Sequence, residues 1–373
     1  MNFNDYFDPL DPRLTYEDQG EFLQSIHINR NGIDQRQLEE AGIALVGVPF
    51  EFAGEINPSD APDRIRHELY KLAFDQRKPP CIYDLGNIRQ AATIRETLFG
   101  LSEALDALFT RQKIVLLLGG DSMTNLATLR SIPGREEDPA CYALAEPVLS
   151  LAEYSGFDMI APQKFHFYQL GNQAHFYTRG QKQWAQSHVQ ETYRLGKIRN
   201  HLPGVEPYLR GCHGFSLSAR VIKHADAPGQ KEAYPNGIYS EDACQMAGYA
   251  GLADNLRIFS VLDYYPPHDR TDQTARLLAQ VVWYFIDGYR SRYTEHPYHQ
   301  AHFRKFLVNL DDHSLVFYKS DRTSRWWMEV PQDRPDRQRA IPCHSSDYDT
   351  ACRHEIPARW LRAYQKLNTR DRQ

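Results

Sequence analysis

Short polar segments that could do chemistry follow several apolar runs of the sequence. In parallel α/β sheets, functional groups lie in loops just beyond the carboxyl ends of the strands. Four predicted strand ends carry such loops, at residues 49–59, 119–123, 152–158 and 216–230. The acids Asp121, Glu153 and Asp158 in these loops are residue types that could ligate a metal ion. Each also has an ordinary role, because Asp121 could cap the next helix and the other two could be surface or salt-bridged residues.

A second group of candidate metal ligands lies near the C-terminus. His296, His299 and His302 are spaced three apart, which could place imidazoles on one helical face. Pro297 interrupts that run, and no cysteine or fixed carboxylate lies nearby, so we do not favour a metal site there. Glycine-rich nucleotide-binding motifs and the Gly-x-Ser-x-Gly motif of serine hydrolases are absent from the sequence.

Composition excludes several classes of partner. The chain has 373 residues, with 43 Lys and Arg against 48 Asp and Glu, and a formal charge of −5. Because no block of like charge is present, we expect neither nucleic-acid binding nor an anionic-membrane partner. The sequence shows no secretory signal and no run of apolar residues long enough to span a membrane. The cytoplasm is the predicted compartment, and the six scattered cysteines are predicted to be buried thiols.

Alternating apolar runs and amphipathic stretches predict a parallel sheet with crossover helices. The predicted strands are 43–48, 82–85, 113–118, 148–152, 166–170, 214–217 and 258–262. The predicted helices are 62–72, 93–109, 183–195, 240–250 and 272–289. This pattern indicates an α/β fold with a mostly parallel sheet.

The β/α alternation ends near residue 290, where the composition changes. We therefore predict an N-terminal arm over 1–42, an α/β domain over 43–290 and a C-terminal extension over 291–373. Within the extension, the pattern favours a strand at 314–318 and a helix at 357–367.

Tryptophans of the extension carry too much apolar area to remain in water. Trp326, Trp327 and Trp360 are therefore expected to pack the extension against the main domain. The alternative is that Trp326 and Trp327 anchor a protein partner.

The order of several short motifs resembles the arginase-like proteins, or ureohydrolases. The segments are ALVGVPFEFAG (44–54), APDRIRHEL (61–69), YDLGNI (83–88), IVLLLGGD (114–121), HFYQLGNQ (166–173), DAPG (226–229) and SVLDYYPPHDRTDQTARLLAQVVWYF (260–285). Together with RWWMEVP (325–331), they make the chain most similar to a bacterial formimidoylglutamase-like branch. The resemblance implies a three-layer αβα fold. It also implies hydrolysis of guanidino or formimino groups by two manganese ions and a bridging hydroxide.

The residues that the resemblance would assign to manganese are mostly replaced. The family has a histidine after Gly-Gly-Asp, where this chain has Ser122, and an Asp-x-Asp pair, where it has Ser216 and Ser218. The family's Asp-x-His-x-Asp segment falls on LAEYSGFD, whose acids are Glu153 and Asp158. A serine hydroxyl does not compensate divalent charge, so Asp121 and these five positions are interpreted as a degenerate metal site. We accordingly expect no cofactor and assign no catalytic residue.

One acid of the family pattern is retained. Asp263 matches the late acid that receives a cationic substrate group in the family. It could still bind a guanidinium by a two-pronged contact, or it could cap a helix or pair with an internal arginine.

Three hypotheses follow for function. In the first, the chain is a non-catalytic scaffold or binding protein, with a protein partner or self-association. The second is a formimidoylglutamase-type enzyme whose manganese ligands are displaced to Asp121, Glu153, Asp158, Asp263 and nearby histidines. The third is a sensor of a guanidino or amino-acid ligand that is anchored by Asp263. None of the three includes nucleic acid or membrane insertion.

Overall fold

A computed structural model of the chain describes residues 2–15, 21–52, 55–74, 81–135, 139–154, 161–298, 301–310, 314–331 and 338–369. The strands are β1 (Phe7–Asp8), β2 (His27–Ile28), β3 (Ile43–Val48), β4 (Phe50–Glu51), β5 (Asn57–Pro58), β6 (Ile82–Ile88), β7 (Ile114–Gly119), β8 (Ala140–Ala145), β9 (Phe165–Leu170), β10 (Val189–Tyr193), β11 (Gly214–Ser218), β12 (Ile258–Leu262), β13 (Phe303–Asn309), β14 (Ser314–Ser320), β15 (Trp326–Pro331) and β16 (Gln338–Cys343). The helices are α1 (Glu21–Gln24), α2 (Gln35–Glu40), α3 (Ala61–Tyr70), α4 (Ile94–Thr110), α5 (Thr124–Ser131), α6 (Arg179–His188), α7 (Leu195–Asn200), α8 (Glu206–Arg210), α9 (Ser240–Gly251), α10 (Gln273–Arg290), α11 (Ser345–Cys352) and α12 (Ala358–Thr369).

The central sheet has the order β1-β6-β3-β7-β12-β11-β8-β9-β10, with β2 also paired to β6. Its pairs are parallel except for β1 with β6. Strands β3 and β7 are buried at every residue, because helices cover both faces of the sheet. One apolar cluster joins the sheet to α3, α9 and α10, and a second joins it to α4 and α5. The predicted three-layer αβα fold is therefore confirmed.

Sequence signals for the helices agree with their packing. Helix α4 begins with a capping box in which Thr93 and Glu96 satisfy each other's backbone N–H groups. Its leucines at 98, 101, 105 and 108 are buried, as their helical spacing predicts.

The prediction of a strand at 148–152 is wrong. The strand at this position of the sheet is β8, and residues Ser150–Tyr154 form a 3₁₀ helix instead. Strand pairing ends where Glu146 donates its N–H to the carbonyl of Leu170, since the following Pro147 has no N–H to continue the ladder. The predicted helix at 183–195 also ends early, because Val189–Tyr193 adds β10 to the sheet edge.

The C-terminal part forms an antiparallel sheet of its own, in the order β13-β14-β15-β16. Its core includes Phe317, Met328 and Trp360, packed with residues of α11. At the other end of the chain, β1 and β2 pair with β6 of the central sheet. The division at residues 42 and 290 stays a prediction.

Two expectations about the whole chain can be compared with the described residues. None of the helices in these residues is long and apolar enough to cross a membrane. Cys212, Cys244 and Cys343 are buried as predicted, whereas Cys81 and Cys352 are exposed.

Candidate functional site

Four neighbouring strands end at one place in the sheet. Strands β7, β12, β11 and β8 are adjacent and parallel, so their carboxyl ends share one edge. The residues that follow these ends include acids, serines and one arginine, which contact each other across the edge. This cluster is the candidate site.

Asp121 follows β7 through a turn that requires glycine. Gly119 and Gly120 have φ angles of +80° and +76°, and a Cβ on Gly120 would lie 2.4 Å from the Thr124 hydroxyl oxygen. The Asp121 carboxylate accepts hydrogen bonds from the backbone N–H groups of Phe52 (2.7 Å) and Met123 (3.0 Å). Burial, followed by the charge of Asp263, raises the pKa of Asp121 to about 6. Asp121 is therefore not the N-cap of α5, which is Met123; it bonds instead to the turn before that helix and to Phe52, which follows β4.

Ser122 and Asp263 join the ends of β7 and β12. The Ser122 N–H donates to Asp263 Oδ1 (3.0 Å), and its hydroxyl donates to Oδ2 (2.8 Å). The Asp263 N–H returns a bond to the carbonyl of Gly120 (2.9 Å). Asp263 has a left-handed φ of +59°, and its side chain reaches Ser122 at the end of β7. Ser122, at the position where the resemblance places a histidine, is therefore a hydrogen-bond partner of Asp263.

Arg220, which the sequence analysis missed, lies at the centre of the cluster. It follows β11 by two residues, and its Nε lies 3.5 Å from Asp263 Oδ2 and 3.5 Å from the Ser218 hydroxyl oxygen. Its Nη2 donates to the hydroxyls of Ser122 (3.2 Å) and Ser150 (2.7 Å). Among the roles foreseen for Asp263, the pair with an internal arginine is present in the structure, and ligand binding by Asp263 stays a prediction.

Glu146 is a second site residue that the sequence analysis missed. It follows β8 directly, is 2% exposed, and its Oε1 accepts a hydrogen bond from the Ser150 N–H (3.1 Å). Burial raises the pKa of Glu146 to about 8, although the positive charge of Arg220 opposes the rise. Glu146 therefore holds a proton through most of the neutral range.

Residues 146–150 directly follow β8, whereas the family's middle segment is predicted at 151–158. Glu153 is exposed and accepts a hydrogen bond from Gln181 Nε2 (2.8 Å), and Asp158 lies outside the described residues. The placement of the family's middle segment on residues 151–158 stays a prediction.

The two serines of β11 have different surroundings. Ser218 contacts Arg220 twice, since its hydroxyl oxygen also accepts the Arg220 backbone N–H (3.2 Å). Ser216 is buried beside the Tyr142 hydroxyl, one strand away. Only Ser218 therefore belongs to the Arg220 cluster.

An open groove lies beside the cluster at the end of β3. Its volume is about 740 Å³, and its lining includes Phe50, Glu51, Lys231 and Tyr265. Lys231 Nζ lies 3.3 Å from Glu51 Oε2 across the groove. Phe52, the residue after Glu51, donates its N–H to Asp121 (2.7 Å), so the groove lies next to the candidate site.

The two tryptophans considered as partner anchors contact other residues of this chain. Trp327 is 4% exposed, and the Arg210 guanidinium lies 4.3 Å from its ring centroid. Trp326 is half-buried and stacks on Tyr348 with centroids 5.1 Å apart. Trp327 thus packs against α8 as expected, whereas Trp326 packs within the C-terminal part; the alternative, partner binding at either residue, stays a prediction.

Comparison with known proteins gives the same family as the motifs. A model described as the Arginase family matches residues 41–141. The formimidoylglutamase of Bacillus subtilis is 23% identical over 277 residues, which cover 66% of this chain and 87% of the relative. A Vibrio cholerae formimidoylglutamase is 22% identical, with coverage of 66% and 83%. This chain is arginase-like.

Solved structures support the fold of the arginase-like chain. The structure of the B. subtilis formimidoylglutamase aligns with a TM-score of 0.59 and 19% identity, over 74% of this chain and 94% of that one. Formiminoglutamase of Trypanosoma cruzi, solved with Mn²⁺, aligns with a TM-score of 0.58 and 17% identity, over 74% and 100%.

The expectation that this arginase-like chain uses no cofactor is contradicted by these comparisons. The similar T. cruzi formiminoglutamase has been solved with Mn²⁺ in more than one form. The family match also includes the segment that carries Asp121. The similarity to these proteins therefore does not support the prediction that this chain has no cofactor.

The described residues of the site nevertheless fit a manganese pair poorly. In the part of the chain that the structure describes, no group of three or more His, Cys, Asp and Glu side chains is placed to hold a metal ion. The cluster offers serine hydroxyls and a positively charged guanidinium where divalent ions need carboxylates and imidazoles. The candidate histidines near the C-terminus supply no such group among these residues either, and His299 lies outside them.

Proposed function

We propose that this chain is a formimidoylglutamase-type hydrolase of C–N bonds in linear amidines or guanidines. The observation that carries the proposal is that the site at the ends of β7, β8, β11 and β12 already binds a guanidinium, which is that of Arg220. Acid and hydroxyl groups suited to a planar nitrogen cation are therefore in place. Similarity to the formimidoylglutamases supports the same class of substrate.

Two acids have distinct roles in this proposal. Asp263 receives the amidinium of the substrate, because its carboxylate is the acid that contacts the guanidinium now. Hydrolysis forms a bond between the water oxygen and the amidine carbon and breaks the C–N bond; the released ammonia or amine takes a proton from an acid, and the proton that the water loses restores that acid. Glu146 is placed to supply that proton, since burial raises its pKa to about 8 and keeps the side chain protonated at neutral pH. Because the described residues do not fit two manganese ions, no step here uses a metal.

Turnover by the full chain tests the proposal. Formiminoglutamate, agmatine and arginine are each incubated with the protein, with and without Mn²⁺, and release of ammonia, formamide or urea is measured. We expect turnover of at least one compound and at least a 100-fold loss in Asp263→Asn. Glu153→Gln is the matched control, since this exposed acid lies outside the cluster and should leave the rate unchanged. Absence of product under every condition would reject hydrolysis.

Binding without turnover is a second candidate function, for either a guanidino sensor or a scaffold. It is favoured by the contacts that Arg220 makes with Ser122, Ser150 and Asp263, which fill the place of a substrate cation. A guanidino compound should then raise the melting temperature of the wild-type chain without being consumed. The shift should disappear in Asp263→Ala. Product formation at the same concentration would decide for the enzyme.

A further inference from the structure

Arg220 is held as a bound ligand would be held. Its guanidinium reaches residues from the ends of three other strands, namely Ser122 after β7, Ser150 after β8 and Asp263 after β12. Only 17% of its side chain is exposed. Because these partners follow three different strands, the guanidinium is bound from several sides.

The acceptors around Arg220 match a planar cation with several N–H groups. Hydroxyl oxygens of Ser122 and Ser150 accept from Nη2 at 3.2 and 2.7 Å, while Asp263 and Ser218 lie 3.5 Å from Nε. Arginine presents its donors in a fixed fork, which a point-like ammonium cannot reproduce. The groups that surround the guanidinium would therefore suit any small guanidinium or amidinium.

The contact with Asp263 is the loosest of the set. Nε and Oδ2 are 3.5 Å apart, and the same Oδ2 already accepts the Ser122 hydroxyl at 2.8 Å. Asp263 also keeps the Ser122 N–H and hydroxyl as partners if the guanidinium leaves. Departure of Arg220 therefore does not strip the carboxylate of all hydrogen bonds.

We propose that Arg220 is a built-in competitor for the cation position of this site, so that a small amidinium or guanidinium binds only by displacing it from Asp263. Arg220 is thus the residue that sets the affinity of the site for such ligands. The proposal takes its ligand class from the proposed function but does not depend on hydrolysis. A tethered group competes at a high effective concentration, so the wild-type chain should bind these ligands weakly.

Direct binding of methylguanidinium to full-length variants tests this inference. Titration calorimetry should give a Kd at least 10-fold lower for Arg220→Ala than for the wild-type chain, since the competitor is removed. The gain should be lost in the double variant Arg220→Ala with Asp263→Asn. Arg179→Ala, which removes an exposed arginine on α6, is the matched control and should behave as wild type. Tetramethylammonium, which has no N–H groups, should bind none of them.

Several results would overturn the inference. Equal affinity of wild type and Arg220→Ala for methylguanidinium would show that Arg220 does not compete. Stabilisation of Arg220→Ala by Mn²⁺ but not by methylguanidinium would show that the position prefers a metal.

A folding defect in Arg220→Ala would not prevent the test. Its refolding yield would be compared in 20 mM methylguanidinium chloride and in 20 mM NaCl, where only the former should restore the fold. Arg220→Lys keeps a positive charge but lacks the planar fork that donates from both Nε and Nη2, and it should bind methylguanidinium with intermediate affinity. Failure to detect turnover would bear on the proposed function alone, because every readout here is binding or refolding.

Discussion

Two arginines of this fold contact carboxylates in very different ways. Arg66 of α3 is fully buried and donates through Nε (2.8 Å) and Nη2 (3.0 Å) to the two oxygens of Asp84, which is also fully buried. Tyr70 donates to the same carboxylate, and the Gly86 carbonyl accepts a further bond from Arg66. Arg220 is partly exposed and meets Asp263 at a single distance of 3.5 Å.

This difference separates structural pairing from ligand-like binding. The Arg66–Asp84 pair ties α3 to β6, and each Asp84 oxygen has a close donor, while Arg66 also donates to Asp63 and Asn87. Around Arg220, serine hydroxyls supply most of the close contacts, and they can rotate to accept another donor. The Arg220–Asp263 pair is therefore the one in which a ligand could replace the arginine.

The largest expected effect is on the buried pair. Arg66→Met should lower the free energy of unfolding by about 3–5 kcal/mol, because it leaves Asp84 charged and without its cation in the interior. Arg220→Met should cost about 2 kcal/mol, since Asp263 retains the hydrogen bonds of Ser122. Urea unfolding of both variants at one pH measures the difference. Equal losses would remove the distinction between the two arginines.

A second expected effect is the pH dependence that Glu146 gives to stability. Its pKa is about 8 in the folded chain, against an ordinary value of 4.5. The folded state therefore holds a proton that the unfolded state has released, and stability falls as pH rises through this window. The slope should approach about 1.4 kcal/mol per pH unit.

Glu146→Gln removes this titration and should flatten the stability profile between pH 6 and 8. Wild type and variant are compared by urea unfolding at several pH values, with Glu153→Gln as an exposed control. Asp121, whose pKa is raised to about 6, has the same sign and keeps a smaller slope between pH 4 and 6 in both chains. An unchanged slope from pH 6 to 8 in Glu146→Gln would contradict the assignment.

The fold was largely predictable because its central strands have only one suitable environment. Strands β3 and β7 are continuous apolar runs, which fit a sheet covered on both faces. Strand β8 was missed because its sequence, ACYALA, is rich in alanine and has few β-branched residues. The apolar residues just beyond it gave the stronger local signal, although Pro147 separates them from the sheet.

The site was less predictable than the fold, for a physical reason. Asp121 and Asp263 could be placed from motifs, because each is fixed by a turn at its own strand end. Glu146 was lost with the misplaced strand. Arg220 reaches the site through a long side chain, and no local pattern specifies which strand end that side chain crosses to. Its position two residues beyond Ser218 was the one available signal.

The smallest expected effect concerns one of the hydrogen bonds that the Arg220 guanidinium makes. Ser150→Ala removes the 2.7 Å bond to Nη2, and it should lower the free energy of unfolding by only about 1 kcal/mol. The same substitution removes an acceptor from the competitor and from an incoming ligand alike, so the affinity for methylguanidinium should change much less than in Arg220→Ala. Ser187→Ala on α6 is the control, since its hydroxyl bonds only the Gln183 carbonyl. Destabilisation by Ser150→Ala as large as that of Arg66→Met would mean that this serine holds a structural pair, and the two arginines would then be alike.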